Sequence, residues 1–222
     1  MLNNQNSKDK TLGYKANYDL IEKHWAKMRT ALPEKDQLLF NQFFGLMAPG
    51  STVLDIGCGS GNPIAKQMSE KGFNIHGVDR SAQLLKQAQR NIPNANFKQA
   101  EIEEFDVQGF SNNHTLGGIV CWDVLFHLPR KRQAQAIERM AKSMGVNTPI
   151  ILSSGGSETD IPPFRDLMFG VEFFYDAYPI PEMIHLCESF DLTLIAKSMV
   201  NIPDGNRDKG RVGLIFIKQL SS

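Results

Sequence analysis

The sequence predicts an α/β protein with a mostly parallel sheet and helices on both faces, and three observations carry that expectation. Apolar, strand-like runs alternate with helix-like stretches between residues 53 and 153, the pattern that lays parallel strands side by side through right-handed crossovers. The first run, Val53-Leu54-Asp55-Ile56, enters three alternating glycines at 57, 59 and 61. The last third breaks the alternation. Leu192 to Val200 and Val212 to Ile217 are joined through Asn201 to Gly210 without a helical pattern, and so short a link suits an antiparallel hairpin better than a parallel crossover.

The elements follow in chain order. Tyr18 to Thr30 and Glu34 to Met47 read as two helices split at Pro33, the second with Leu38, Leu39, Phe43, Phe44, Leu46 and Met47 at helical spacing, and Pro49-Gly50 ends it. After the first strand and its glycines, Pro63 suits a first helical position, where no N–H is needed, and that helix runs to about Lys71. A strand at Phe73 to Val78 precedes a helix from Ser81 to Asn91, whose first turn the Ser81 hydroxyl can cap. Strands follow at Ala95 to Gln99 and Gly117 to Trp122, then an amphipathic helix at Arg130 to Met144 with Ala134, Ile137, Met140, Ala141 and Met144 on one side. Pro149 to Ser153 is the fifth strand, and Ile180 to Phe190 is a helix before the terminal hairpin.

Bulk composition narrows the function class. A chain of 222 residues is of single-domain size and needs no disulfide or metal staple to bury a core. Its 24 basic and 24 acidic residues leave no net field to draw nucleic acid or an anionic membrane. Cys58, Cys121 and Cys187 are odd in number and lack metal-ligand spacing, as expected of reduced thiols in a cytoplasmic protein with no metal site. No apolar run approaches the ~20 residues of a membrane span, and the polar residues 1–12 are expected to form a disordered tail ahead of one domain over residues 13–220.

The glycine loop points to a nucleotide-like cofactor. Glycines admit positive φ and close backbone approach, so the loop exposes N–H donors to a ligand. A dinucleotide fingerprint wants G-x-G-x-x-G, but Asn62 stands at its third glycine, and the buried-strand acid Asp55 suits an ammonium group better than a pyrophosphate. Asp79, at the end of the second strand, fits ribose hydroxyls in either case. On these residues Val53 to Gly61 resembles the first motif of the class I S-adenosylmethionine-dependent methyltransferases. That resemblance implies a Rossmann-like fold, a seven-stranded sheet with a C-terminal antiparallel hairpin, and S-adenosylmethionine as cofactor, with S-adenosylhomocysteine as product.

Carried over position by position, the resemblance implies a cofactor site of Asp55, Gly57, Cys58, Gly59, Gly61 and Asn62, then Asp79 with Arg80. Glu101 replaces the family's commoner Asp at the place that meets the adenine amino group, and Ile102 follows it. Trp122-Asp123 and Phe126-His127-Leu128 match the segment after strand four that faces the sulfonium and substrate, with Trp122 and Phe126 as apolar walls. Near the N-terminus, Tyr18, Trp25 and Arg29 match a tyrosine, a tryptophan and an arginine of similar small methyltransferases. Ser154-Gly155 and Phe174-Tyr175 match further on, while Asp176 and Tyr178 depart from the relatives' His and Ser. His127 and Tyr175 are the candidate catalytic groups, His127 at the cleft mouth as a proton acceptor. Each has an ordinary structural alternative: core packing for the aromatics, loop bonding for His127, a solvated surface acid for Glu101.

Residues 13–48 are expected to form a helical cap, and the aromatic-rich stretch 157–180 a substrate lid. The acceptor implied is an oxygen or nitrogen of a small molecule, in a monomer or homodimer. Ile161-Pro162-Pro163-Phe164 imitates the motif of nucleic-acid amino methyltransferases but follows the fifth strand rather than the fourth, and no basic stripe accompanies it. An RNA or protein methyltransferase, a non-catalytic cofactor-binding regulator and an NAD(P)-dependent oxidoreductase remain as alternatives.

Overall fold

The computed structural model describes residues 13–204 and 208–220; the expected N-terminal tail lies outside them. Nine strands and seven α-helices are assigned among these residues. Seven strands form one sheet in the order β3-β2-β1-β4-β5-β9-β8, with β1 (Thr52–Ile56), β2 (Asn74–Asp79), β3 (Asn96–Gln99), β4 (Leu116–Cys121) and β5 (Pro149–Gly155) parallel. β9 (Arg211–Lys218) inserts antiparallel between β5 and β8 (Leu192–Asn201), which is the terminal hairpin that the sequence predicts. Strand order reverses between β1 and β4, so a crevice opens at their C-terminal ends.

Period-two alternation explains why both faces are covered. Along β4 and the residue after it, Ile119 and Cys121 join one buried cluster and Val120 and Trp122 the other; on β9, Leu214 and Phe216 oppose Ile215 in the same way. The first face is packed by α5 (Val107–Asn113), α6 (Arg130–Ser143) and α7 (Ile180–Glu188). The second is packed by α2 (Glu34–Gly45) and α3 (Ile64–Glu70), with Ile92, just past α4 (Ala82–Asn91), in the same cluster. Ser81 caps α4 as expected, its hydroxyl accepting from the Leu84 N–H at 3.0 Å.

Three segments differ from the sequence reading. Tyr18 to Thr30 is not one helix: a 3₁₀ turn at Tyr18–Leu20 precedes α1 (Glu22–Met28). The stretch 13–48 also divides in function, since α2 packs on the sheet while residues 16–25 pack elsewhere. Their partner is a two-stranded hairpin, β6 (Phe164–Met168) and β7 (Val171–Tyr175), within the expected lid. Buried Ala16, Ile21 and Phe173 join the two pieces, with Tyr18, Trp25 and Tyr175 packed around them. The middle half of the run 157–180 is therefore a β-hairpin with one face covered by the N-terminal segment. α5 escaped the sequence reading because its seven residues, VQGFSNN, have poor helix propensity; Asp106 starts it by accepting from the Gly109 N–H at 2.8 Å.

Helix α2 approaches the sheet closely only because β4 and β9 present glycines to it. A Cβ on Gly213 would stand 2.5 Å from Leu39 and 2.6 Å from the Trp122 ring. Gly213→Ala is expected to destabilise the protein by ~1–3 kcal/mol through overpacking. Gly45→Ala, in the same helix with open space around it, is the control and should be neutral or stabilising by up to ~1 kcal/mol. Urea unfolding of both variants checks the contrast.

Candidate active site

At the C-terminal ends of β1, β2 and β4 the chain forms a cleft of about 110 Å³. The loop after β1 builds its floor. Gly57, Gly59 and Gly61 all take positive φ, at 76°, 54° and 76°. Two of the three face the cleft. A Cβ on Gly57 would lie 2.0 Å from a Val124 methyl, so that position admits no side chain. Gly61, expected at the cofactor, does not line the cleft; a Cβ there would stand 3.0 Å from Ile92 and 3.6 Å from Ala88, so its glycine lets the loop close on α4. Asp55, Cys58 and Asn62 do line it.

Asp79 is held from both sides. One carboxylate oxygen accepts from the Gly59 N–H at 2.9 Å and the other from the Ser81 N–H at 2.8 Å, which fixes the group at the cleft wall. Burial raises its pKa, and these two backbone bonds and Arg80 oppose the rise. Asp55 is buried at 3% exposure, and desolvation with the neighbouring Asp79 lifts it to about 7. Asp55 has no cation among the causes of its shift, whereas Asp79 has Arg80 close by. Cys58 is buried beside them, and burial and both acids push its thiol well up, so it is an inert spacer rather than a nucleophile.

The far end of the cleft is closed by a strap the sequence reading missed. Tyr14, Lys15 and Ala16 line it together with Ile102 and Glu103. The Tyr14 hydroxyl bonds the Glu103 carboxylate, and Lys15 pairs with Glu101 at 3.6 Å. Glu101 also meets Arg80 at 3.4 Å, so it is a half-buried, ion-paired acid at the cleft rather than a solvated surface one. Only a tertiary contact 86 residues away in sequence could reveal this, and no local pattern marks it.

After β4 the chain turns sharply at Asp123, which takes φ 60°. The turn aims its carboxylate between two guanidinium groups. Arg29, at the end of α1, meets one oxygen at 2.8 Å; Arg211, at the start of β9, meets the other and also Asp36 on α2 at 2.7 Å. Ser153 completes the arrangement, accepting from the Asp123 N–H at 2.7 Å and donating back to its carboxylate at 3.1 Å. Both guanidiniums hold Asp123 below its usual pKa despite burial. Trp25, Arg29, Trp122 and Asp123 all reach the cleft. Trp122, 3% exposed, packs edge-on against Phe40 with centroids 4.9 Å apart, and its indole N–H has no partner.

His127 is buried, not at the mouth. Its Nδ1 lies 3.0 Å from the Phe174 carbonyl, which can only accept, so Nδ1 carries the proton. Nε2 then accepts from the Tyr18 hydroxyl at 2.8 Å. Desolvation lowers the ring's pKa to about 4, and burial raises that of Tyr18 well above its ordinary value. His127 therefore fixes Tyr18, and neither group ionises readily at neutral pH. Phe126 and Tyr175 are not in this cleft. Their rings stack 6.2 Å apart and line a second cavity of about 440 Å³, so Phe126 does not stand where it was expected among the cofactor residues, nor Tyr175 where it was expected among the catalytic ones. Asp176, the departure from the relatives, is structural: it accepts from the Arg130 N–H at 3.0 Å and from Arg130 Nε at 2.9 Å, capping α6.

Comparison with known proteins fits this geometry. Residues 53–145, the glycine loop through α6, match the family model of a methyltransferase domain. Over 147 residues, 60% of this chain, the sequence is 26% identical to YqeM of Bacillus subtilis (strain 168), which is named a methyltransferase; the match spans about half of that protein, 52% of its length. A crystal structure of an S-adenosylmethionine-dependent methyltransferase from Clostridium acetobutylicum ATCC 824 superposes with a TM-score of 0.68 at 12% identity, over 91% of this chain and 98% of that one. The magnesium protoporphyrin IX methyltransferase of Synechocystis PCC 6803 gives 0.63 at 15% identity over 92% and 86%. The N-methyltransferase NodS of Bradyrhizobium japonicum WM9 gives 0.61 at 15% over 83% and 97%.

Two outcomes follow for the ligand-free protein. Arg211→Met leaves Asp36 and Asp123 buried without their shared cation and should cost ~3–5 kcal/mol in urea unfolding. The pH dependence of stability carries two opposed slopes. Asp55, raised from 3.8 to about 7, makes the folded state bind the extra proton, so its contribution falls as pH rises from about 4 to about 7. His127, lowered from 6.5 to about 4, contributes stability that is lost as pH falls through that window. Asp55→Asn should therefore raise the unfolding temperature at pH 8 by ~4 °C or more and have little effect at pH 4, read as the difference from wild type.

Proposed function

We propose that this chain, a class I S-adenosylmethionine-dependent methyltransferase by its domain and fold, holds that cofactor in the cleft beyond β1, β2 and β4 and methylates an oxygen or nitrogen of a small molecule. One observation carries the reading: Asp79 is fixed by two backbone donors beside a loop that admits no side chain at Gly57, with the cation-seeking Asp55 below it.

The residues present fit the cofactor's chemistry. Asp79 would take the ribose hydroxyls, for which a fixed two-oxygen acceptor is the matching partner. Asp55 suits the ammonium of the amino-acid tail, and Arg29 its carboxylate, since both line the same cleft. Ile102 and the strap residues Tyr14 and Ala16 offer the apolar end for a base. The bound group would supply an electrophilic methyl on a sulfonium, with a neutral thioether as leaving group. What remains for the protein is to align the acceptor and exclude water, and such alignment can supply most of the rate. Tyr18, Trp25 and Trp122 give the cleft aromatic walls of the kind that favour a sulfonium over a neutral ligand. The small-molecule reading is supported by two of the similar folds, NodS and the protoporphyrin enzyme, whose names describe small-molecule or N-methyl transfer.

Asp79→Ala should weaken S-adenosylmethionine binding by more than about tenfold, the loss expected when a buried charged acceptor is removed. Isothermal calorimetry checks it. Unchanged affinity in a folded Asp79→Ala protein would remove Asp79 from the site and the cofactor from this cleft.

A further inference from the structure

The second cavity, at about 440 Å³, lies within the range of small-molecule pockets. It is separate from the first cleft. One layer of side chains stands between them: His127 lines the cleft and packs on Phe126 and Tyr175, which line the cavity, with ring centroids 4.9 and 5.0 Å away. Arg211, on the cavity side, is ion-paired to Asp123 on the cleft side. Whatever occupies the cavity is therefore held apart from a group transferred in the cleft. At the sheet ends the lining is small, since Gly155, Gly156 and Ala177 leave the space open; a Cβ on Gly155 would already stand 2.6 Å from that of Ala177.

The polar groups around the cavity are already engaged within the protein. Asp176 is taken by Arg130, at 3.0 Å from its backbone N–H and 2.9 Å from Nε, and Arg211 by Asp36 and Asp123. Asp208 accepts from the Gly210 N–H at 2.8 Å and from the Asn201 side chain, and Asp204 accepts from the Asp208 N–H at 3.1 Å. Asp166 accepts from the Leu167 N–H at 2.7 Å, and neither it nor Asp204 nor Lys209 is free. Of the hydroxyls, Ser157 donates to the Thr159 carbonyl at 2.7 Å and Tyr178 to the Arg130 carbonyl at 3.2 Å. An ion entering the cavity would lose its hydration without meeting an unengaged opposite charge, so the lining selects a neutral occupant.

What the cavity offers instead is aromatic surface. Phe126, Tyr175 and Phe164 are half-buried, and their rings follow one another with planes within 25° and 15°. Parallel rings in contact lie ~3.5–4 Å apart face to face. Centroids 6.2 and 5.3 Å apart therefore mean that each ring is slipped sideways from its neighbour and leaves part of its face uncovered by that neighbour. A planar ring laid parallel to these planes gains offset stacking that a puckered body of the same size does not. We propose, independently of the cofactor reading, that the second cavity is a binding site for an uncharged, planar aromatic molecule, bound at the same time as the occupant of the first cleft. That molecule is a second ligand and not the methyl acceptor, because the side-chain layer keeps it from the cleft.

The test titrates four probes calorimetrically into the full chain: 2-naphthol, its puckered counterpart decahydro-2-naphthol, the anion 2-naphthoate and the cation 2-naphthylmethylammonium. 2-Naphthol should bind with a dissociation constant below ~1 mM, severalfold more tightly than the puckered alcohol and about tenfold more tightly than either ion. Saturating S-adenosylhomocysteine should leave that affinity in place. Phe164→Leu, which keeps bulk but removes a flat face, and Ala177→Leu, which fills the space, should each weaken 2-naphthol severalfold in proteins whose unfolding temperature shows them folded. Equally tight binding of the puckered alcohol or of either ion, displacement of 2-naphthol by S-adenosylhomocysteine, unchanged affinity in both variants, or no 2-naphthol binding up to roughly 3 mM overturns the proposal. 2-Naphthol binding that follows this pattern while S-adenosylhomocysteine fails to bind keeps the second site and sinks the cofactor reading instead.

Discussion

The chain of charges Asp36–Arg211–Asp123–Arg29 is the constraint on which the site's geometry depends. Its four members come from α2, the first residue of β9, the turn after β4 and the end of α1, pieces that share no local sequence. Two acids and two guanidiniums cancel, so the low-dielectric interior tolerates a set of charges that it would reject singly. Burial also makes the arrangement unforgiving. Asp36 is fully buried, with one oxygen on Arg211 and the other without a hydrogen-bond partner. Removing any one member leaves an uncompensated charge in the sheet's crevice.

The same ions connect the two cavities to one another. Arg29 and Asp123 face the cleft beyond the glycine loop, and Arg211 faces the cavity beyond β5 and β9. An anionic group arriving beside Arg29 competes with Asp123, and Asp123 in turn sets how firmly Arg211 is held. Aromatic contacts run parallel to this path: Tyr18 bonds His127, which packs on Tyr175 and Phe126. Tyr18 itself belongs to the small apolar cluster that fastens the N-terminal segment to the β6-β7 hairpin. The cap over the first cleft and the wall of the second are thus one packed unit.

The sheet was legible in the sequence because it obeys short-range rules. Alternating faces on β1, β4 and β9, the glycines after β1, and a link too short for a crossover after β8 each act within a dozen residues. Within the site, Asp55, Asp79 and the loop were legible for the same reason. What was not legible depends on contacts between distant segments. Arg211 reads in sequence as one more polar residue in a turn, and Asp36 as an exposed acid in the first turn of a helix. Phe126 lies next to His127 in the chain, yet the 3₁₀ turn Leu125–His127 points it to the other cavity. Gly61 looks equivalent to Gly57 and Gly59, but it packs against Ala88 and Ile92 and does not line the cleft.

The most direct test of the account is thermal unfolding with S-adenosylhomocysteine, S-adenosylmethionine, NAD and NADP in turn. A ligand at about a hundred times its dissociation constant adds ~2.7 kcal/mol, which corresponds to ~5–11 °C for a protein of this size. The account predicts that shift with the two adenosyl ligands and none with the dinucleotides. A shift with NAD or NADP alone would contradict it, because a pyrophosphate would then sit beside Asp55 and Asp79, the two acids that make this a site for a cation.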